Sequence, residues 1–462
     1  MSLDPIRKHA LDILVKVERG AHLDTTLERI LDRLAQDGGD QRSRGFLAEL
    51  VRGTIQWQGR YDHVIASFSR RKPPADIRLR ILLRLSLHQL LGQDGVPAYA
   101  AIHQAGELCK HHISAKKVGY INGLLQAVRR EILVDSCDRE QCLAPLFAPL
   151  AEEPAAWLSA WYSHPRWLVE RWLERFGRDG TEALCAFNNR SPSLTYHVLP
   201  PTAVDEAAER LAAEGCPVRP GRTPRALITE ARPARQTLIR VLGMMPGLIV
   251  QDESVQEAGA WLTDPLVAGA ALDQPPPAGP VLDLCAAPGG KTAHLAAAFP
   301  DRRIVAMDLR RSRMRTLADT VRRIGAAGVS LVQADGLQPP FVAGGCSVAL
   351  LDGPCSGTGV LRHHPDGRWL LEPDTPERNG RLLGDLLARS VELLAPGGYL
   401  LYATCSLEPE ENLQVVESVL RSRDDLEPAP EAVSDHWWRQ WLPQDCASDG
   451  FFAARLRVRS VK

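Results

Sequence analysis

The most reactive side chains in this 462-residue chain are two cysteines, Cys355 in LLDGPCSG and Cys405 in YATCS. Each follows an apolar run of the kind that forms a buried strand, SVALLD before the first and GYLLYA before the second. A thiolate is a strong nucleophile, and a cysteine just past a strand end faces whatever binds above the sheet. Asp352 stands three residues before Cys355. Two thiols and a carboxylate therefore converge if the two strands are neighbours. A thiolate that adds to carbon 6 of a cytosine turns carbon 5 into an enamine carbon, which can attack an electrophilic methyl group. A carboxylic acid near ring nitrogen 3 stabilises the developing charge, and a second thiol can help remove the carbon 5 proton and release the product.

A third apolar run, VLDL, leads into Cys285, Ala286, Ala287, Pro288, Gly289, Gly290 and Lys291. The glycines let the backbone approach a ligand, and the following helix N-terminus attracts an anionic group. The next two runs, RIVAMD and VSLVQAD, end in Asp308 and Asp335. Asp308 lies 18 residues after Gly290, where a carboxylate can accept from a ribose diol, and Asp335 can receive an adenine amino group. No GxGxxG is present, which favours S-adenosylmethionine over a dinucleotide as the cofactor.

The elements that must position these residues follow from periodicity. Residues 236–462 alternate apolar runs with amphipathic helices. This predicts an α/β domain with a doubly wound, mostly parallel sheet of the Rossmann-like class I methyltransferase kind. FFAARLRV is expected as an antiparallel edge strand. Residues 1–145 show helical spacing with no convincing strand, for example in DTTLERILDRLAQ and IRLRILLRLSLHQLLG, so an all-α domain is expected. Residues 146–235 read as a small α+β module whose Trp157, Trp161, Trp167 and Trp172 are assigned to core packing rather than base stacking. The Pro-rich DQPPPAGP marks the entry to the strand–helix alternation.

Composition narrows the class further. The net charge of −1 hides an asymmetry, because residues 1–150 carry 22 Lys plus Arg against 17 Asp plus Glu, which suits a polyanion at the N-terminal end. No run approaches the roughly 20 apolar residues needed to span a bilayer, and the N-terminus lacks a signal-peptide pattern, so no membrane partner and a cytoplasmic location are expected. The ten cysteines are scattered without CxxC pairs, which predicts reduced thiols and no metal. Arg362, His363 and His364 are read as RNA-backbone or surface contacts, with no third metal ligand spaced with them. His436, Trp437, Trp438 and Trp441 are read as a surface insertion.

VLDLCAAPGGKT, LLDGPCSGTGVLRHHPD, YATCSLEPEEN and DGFF closely resemble motifs of the RNA cytosine-C5 methyltransferases, the Sun/NOL/NSUN superfamily. AYAAIHQAGELCKHHISAKKVGYINGLLQAVRRE resembles a NusB-type RNA-binding domain, and WLVERWLERFG with NNRSPSLTYHV resembles the superfamily's pre-catalytic module. The combination covers nearly the whole chain and is similar to the bacterial 16S rRNA (cytosine-C5) methyltransferases of the Sun/Fmu type. The resemblance implies Cys405 as nucleophile, Cys355 in resolution of the adduct, Asp352 on the target cytosine and Lys291 near base and cofactor. It implies that residues 285–291, Asp308 and Asp335, bordered by Asp352, hold adenosylmethionine. The implied partner is a looped or single-stranded cytosine of 16S rRNA, since carbon 6 is inaccessible in a stacked helix. A monomer is expected. Two residues depart from the pattern: Gly353 where Ala usually precedes Pro-Cys, expected to loosen the turn that aims Cys355, and Leu383 where Gln is common. Competing readings are a cytosine-C5 methyltransferase acting on DNA or tRNA, and an RNA-binding ribosome-assembly or antitermination factor with a silent methyltransferase domain. The Cys405 thiol disfavours the DNA reading, because a DNA enzyme would use the Pro-Cys thiol.

Overall fold

A computed structural model describes residues 3–69, 73–133, 138–268, 275–430 and 435–460. Cys137 and the first two residues of DQPPPAGP lie outside them. The chain forms two compact units, Met1–Arg190 with His364–Leu371, and Ser191–His363 with Glu372–Lys462.

The first unit is helical. Its central helix, Ile77–Leu91, is capped by Asp76, whose carboxylate accepts the Arg78 and Leu79 N–H groups. Its residues are buried on nearly every face, as expected of a helix at the centre of a bundle. The one arginine buried there, Arg84, is satisfied by a two-pronged pair with Asp62 at 2.7 and 2.6 Å and by Glu18 at 3.2 Å. The Trp-bearing helices Pro154–Tyr162 and Arg166–Asn188 belong to this unit, which runs past the expected boundary at 145 to Arg190. Their aromatic rings explain why: Trp172 is fully buried, Trp157 stacks on Trp161 at 5.7 Å, and Phe147 meets Trp161 edge-on at 5.0 Å. Trp157, Trp161 and Trp172 thus pack inside the unit.

His364–Leu371 is separated from the rest of this unit by more than 170 residues of chain. Arg368 is fully buried and donates to the carbonyls of Ser163 and Asn188 at 3.1 and 3.0 Å and to Asn189 Oδ1 at 2.8 Å. It is surrounded by neutral acceptors, and burial brings its pKa down to about 10.

The second unit carries two sheets. In the smaller, β1 (Thr195–Val198), β2 (Val218–Pro220), β3 (Ala226–Thr229) and β4 (Leu248–Val250) pair antiparallel in the order β2-β3-β1-β4. The sheet continues beyond the expected end at 235 because β4, three residues long, is too short to show alternation. The larger sheet contains β5 (Val281–Asp283), β6 (Ile304–Asp308), β7 (Val329–Gln333), β8 (Cys346–Asp352), β9 (Leu394–Thr404), β10 (Leu426–Pro428), β11 (Trp438–Trp441) and β12 (Phe451–Val458). Its order is β10-β12-β9-β8-β5-β6-β7, with β11 also on β12. Strands β5 to β9 are parallel, and β12 runs antiparallel to β9.

The doubly wound reading thus holds, with a switch of direction between β5 and β8, where ligands enter such sheets. Two details differ from expectation. β12 is interior, since β10 and β11 both pair with it, and Trp438 to Trp441 form a strand rather than an insertion. Trp441 is buried against Trp261, with ring centroids 6.4 Å apart, which a surface insertion would not supply. Cys142 is in a disulfide, an exception to the expectation of reduced thiols, while the other eight described cysteines are free.

Candidate active site

β8 and β9 are parallel neighbours with Asp352 opposite Ala403, so the turns that leave them run side by side. This register brings Cys355 Sγ to 3.3 Å from Cys405 Sγ although the residues are 50 apart in sequence. The Gly359 N–H donates to the Cys405 carbonyl at 2.9 Å and ties the two turns further. The hydrogen bond with Cys405, then burial, then the nearby Glu411 charge push the Cys355 thiol well above its ordinary pKa. Cys355 is therefore held as a thiol at neutral pH.

Lys291 reaches Asp352 at 2.6 Å, and its ammonium lies 5.0 Å from the centre of the Phe451 ring. Burial works to lower the lysine pKa, but the Asp352 carboxylate outweighs it and the net shift is upward, with Cys405 adding in the same direction. Lys291 stays charged beside both Asp352 and the Cys405 sulfur.

The loop after β5 is built on Asp283, which is fully buried and accepts from Thr292 Oγ1 at 2.6 Å. Burial pushes this carboxyl up to about 7, and its Oδ1 has no hydrogen-bond partner among the described residues. Gly289 has φ of +108°, a conformation L side chains avoid, and starts the helix Gly290–Ala298. Asp308 is buried at the end of β6, where it accepts the Ala287 N–H at 3.3 Å and the Arg310 N–H at 3.1 Å. Its Oδ2 also lies 3.6 Å from Arg313 Nη1. Asp335 is exposed two residues past β7 and accepts the Leu337 N–H at 2.9 Å. Burial pushes the Cys285 thiol up to about 12, the mark of a packing thiol rather than a nucleophile.

Arg362 corrects a sequence expectation. It is 8% exposed and pairs with Asp252 at 2.7 Å and Asp449 at 2.7 Å, so it is an internal ion pair rather than an RNA contact. His363 approaches Asp449 at 2.9 Å and His364 approaches Asp24 at 3.3 Å. Asp252, His363 and Asp449 could together face one metal ion, a grouping invisible to spacing. The Arg362 guanidinium already neutralises both carboxylates.

Three family models match in series: "NusB family" over residues 4–130, "Methyltr_RsmF/B-like, ferredoxin-like domain" over 164–234 and "16S rRNA methyltransferase RsmB/F" over 270–457. A curated protein from Synechocystis, "Probable ribosomal RNA small subunit methyltransferase B", is 32% identical over 95% of this chain and 96% of its own length. The chain belongs to the RsmB/F family of 16S rRNA methyltransferases. The Bacillus subtilis relative of the same printed name is 29% identical over 99% of this chain and all of its own. The fold is likewise that of a solved structure called PH0851, with a TM-score of 0.75 at 24% identity and 99% coverage of both chains.

Adenosylmethionine is the methyl donor of this family, and the residues present fit it. The lining suits its polar groups: Asp283 keeps a bare oxygen near the left-handed Gly289 turn, and Asp308, paired with Arg313 at 3.6 Å, stands at the end of β6. Sequence reasoning quoted Asp283, Phe451 and Glu411 only within motifs and singled out none of them. A signal for Asp283 was present: an acid inside the otherwise apolar VLDL run needs a reason to be buried.

Proposed function

We propose that this protein methylates carbon 5 of a cytosine in 16S rRNA through a covalent adduct on Cys405. The observation that carries this reading is the 3.3 Å thiol pair beside the Lys291–Asp352 ion pair. A single packing cysteine needs none of these neighbours.

Residues 285–291, Asp283, Asp308 and Asp335 hold adenosylmethionine, which when bound supplies an electrophilic methyl carbon on a sulfonium. Cys405 loses its proton and its sulfur bonds to carbon 6 of the target base, so the carbon 5–carbon 6 double bond becomes an enamine. Asp352 faces the target base, and the negative charge that moves to ring nitrogen 3 is stabilised by the Lys291 ammonium, 2.6 Å from that carboxylate. After methylation of carbon 5, the Cys355 sulfur, having passed its own proton to solvent, takes the carbon 5 proton. The carbon 6–sulfur bond then breaks, the double bond re-forms and Cys405 departs as a thiolate. The base must be turned out of any stack for carbon 6 to be reached.

The test replaces each thiol with alanine and incubates the full chain with 16S rRNA and radiolabelled adenosylmethionine. Cys405→Ala is expected to abolish methylation, and Cys355→Ala to accumulate a protein–RNA complex that survives denaturing electrophoresis. A Cys405→Ala protein that still methylates while Cys355→Ala forms no adduct reverses the assignment.

A further inference from the structure

We propose that Glu411 is the positioning residue for both thiols: its single buried carboxylate ties the turn after Cys355 to the turn after Cys405 and so holds the two sulfurs in reach. The proposal rests on the thiol-pair reading given above. Glu411 is fully buried, and four donors converge on it. Oε1 accepts the Ser356 N–H at 2.7 Å and Asn379 Nδ2 at 2.7 Å, while Oε2 accepts the Ser356 hydroxyl at 2.5 Å and the Ser406 hydroxyl. Ser356 and Ser406 are the residues that follow the two cysteines. Ser406 is five residues from Glu411, whereas Ser356 lies 55 residues away in the chain, so the carboxylate bridges a local and a distant segment.

A buried carboxylate is costly unless it is fully hydrogen-bonded, and here both oxygens are filled. Such a group has one stable arrangement, so it fixes the partners that fill it. The Glu411 backbone is anchored in turn, because Tyr402 of β9 donates to its carbonyl. Asn412 next to it accepts from Thr404 Oγ1 at 2.5 Å and donates to the Ser406 carbonyl at 2.9 Å. The segment after β9 thus folds back on the strand and presents Glu411 between the turns. Its carboxylate touches neither sulfur through a hydrogen bond, which makes it a positioning residue rather than a catalytic one.

The experiment reads sulfur placement directly. Full-length protein is treated with diamide, which takes two electrons and two protons from a thiol pair to leave a disulfide, and the rate of Cys355–Cys405 bond formation is followed by peptide mapping. Glu411→Ala is expected to slow this rate at least tenfold. It is also expected to lower kcat about 10²-fold, the loss that misplacement by about 1 Å causes, with KM for adenosylmethionine unchanged. Glu411→Gln should recover both, because its amide oxygen accepts from Ser356 N–H and Asn379 and its amide nitrogen donates to the two rotatable hydroxyls. If Glu411→Ala does not fold, Ser356→Ala combined with Ser406→Ala removes the two hydroxyl ties to Oε2 while the Ser356 N–H bond to Oε1 stays, and is expected to slow disulfide formation by a smaller factor. A wild-type disulfide rate in the folded variant, or no rescue by Glu411→Gln, overturns the proposal. A failure of the methylation mechanism would appear instead as activity in Cys405→Ala and would leave the disulfide rates untouched.

Discussion

The two departures from the family pattern, Gly353 and Leu383, meet in space, and the prediction is that they compensate one another. A Cβ placed on Gly353 would stand 2.1 Å from Leu383 Cδ2. Ordinary carbon contacts lie near 3.5–4.0 Å, so Gly353→Ala forces a displacement of about 1.5 Å. Leu383 is fully buried on the helix Thr375–Glu392, so its side chain must turn within the core. Overpacking of this kind costs about 1–3 kcal/mol. The strain falls on the turn between Asp352 and Cys355, and a shift of about 1 Å there lowers kcat about 10²-fold. Leu383→Ala alone leaves a cavity and costs about 2–5 kcal/mol. In the double variant the added methyl enters that cavity, so the two penalties fall short of additivity by about 0.5–3 kcal/mol and kcat rises again. Urea unfolding and single-turnover methylation of the wild type, both singles and the double measure this cycle. Additive stabilities, or a Gly353→Ala protein within about 0.5 kcal/mol of wild type with full kcat, refute the reasoning. The close Leu383 side chain is itself a reason for a glycine at position 353.

Other expectations follow from the buried charges. Arg362→Ala leaves Asp252 and Asp449 buried without their cation and should cost about 3–5 kcal/mol by denaturant unfolding; a loss under about 1 kcal/mol would mean that the pairs contribute little. Asp283 has a raised pKa, so the folded state favours its protonated form. Its contribution is intact below the ordinary value of 3.8 and is lost as pH rises to about 7. The fall in melting temperature between pH 4 and pH 7 should shrink in Asp283→Asn, and an unchanged profile would assign the loss to other groups. Cys285, with its pKa near 12, should resist iodoacetamide at pH 7 in the folded protein, and mass spectrometry showing modification at the rate of a free thiol would contradict its burial.

The strand ends were legible because chemistry and periodicity coincide there. Apolar runs terminate at Asp308 and Asp352, where β6 and β8 end, and at Ala403, one residue before β9 ends, whereas β7 stops at Gln333, two residues short of Asp335. That β8 and β9 are neighbours followed from how doubly wound sheets are connected, and the 3.3 Å thiol contact is a consequence of that register. The edge assignment of β12 failed because β10 and β11 are short and polar enough to leave no alternating signature. Arg362 was misread because a charge beside two histidines resembles a surface cluster until Asp252 and Asp449 are seen to come from distant segments.

A common cause underlies these misses. Periodicity reports which face of an element is buried, whereas a buried charge is explained only by the partners that neutralise it, and those come from elsewhere in the chain. Glu411 is four residues from Leu407 and reads as one acid of an acidic turn, yet its carboxylate is fully buried. Only the neighbouring turn after β8, which brings Ser356, and the helix that brings Asn379 make that burial tolerable. The thiols need such a tie, because β8 and β9 fix only the strand ends and each cysteine lies beyond its strand. Past the last ladder bond the Glu411 carboxylate adds to the Gly359–Cys405 and Leu407–Thr358 bonds in keeping the two turns together, and the reaction proposed for Cys405 and Cys355 requires that they stay so.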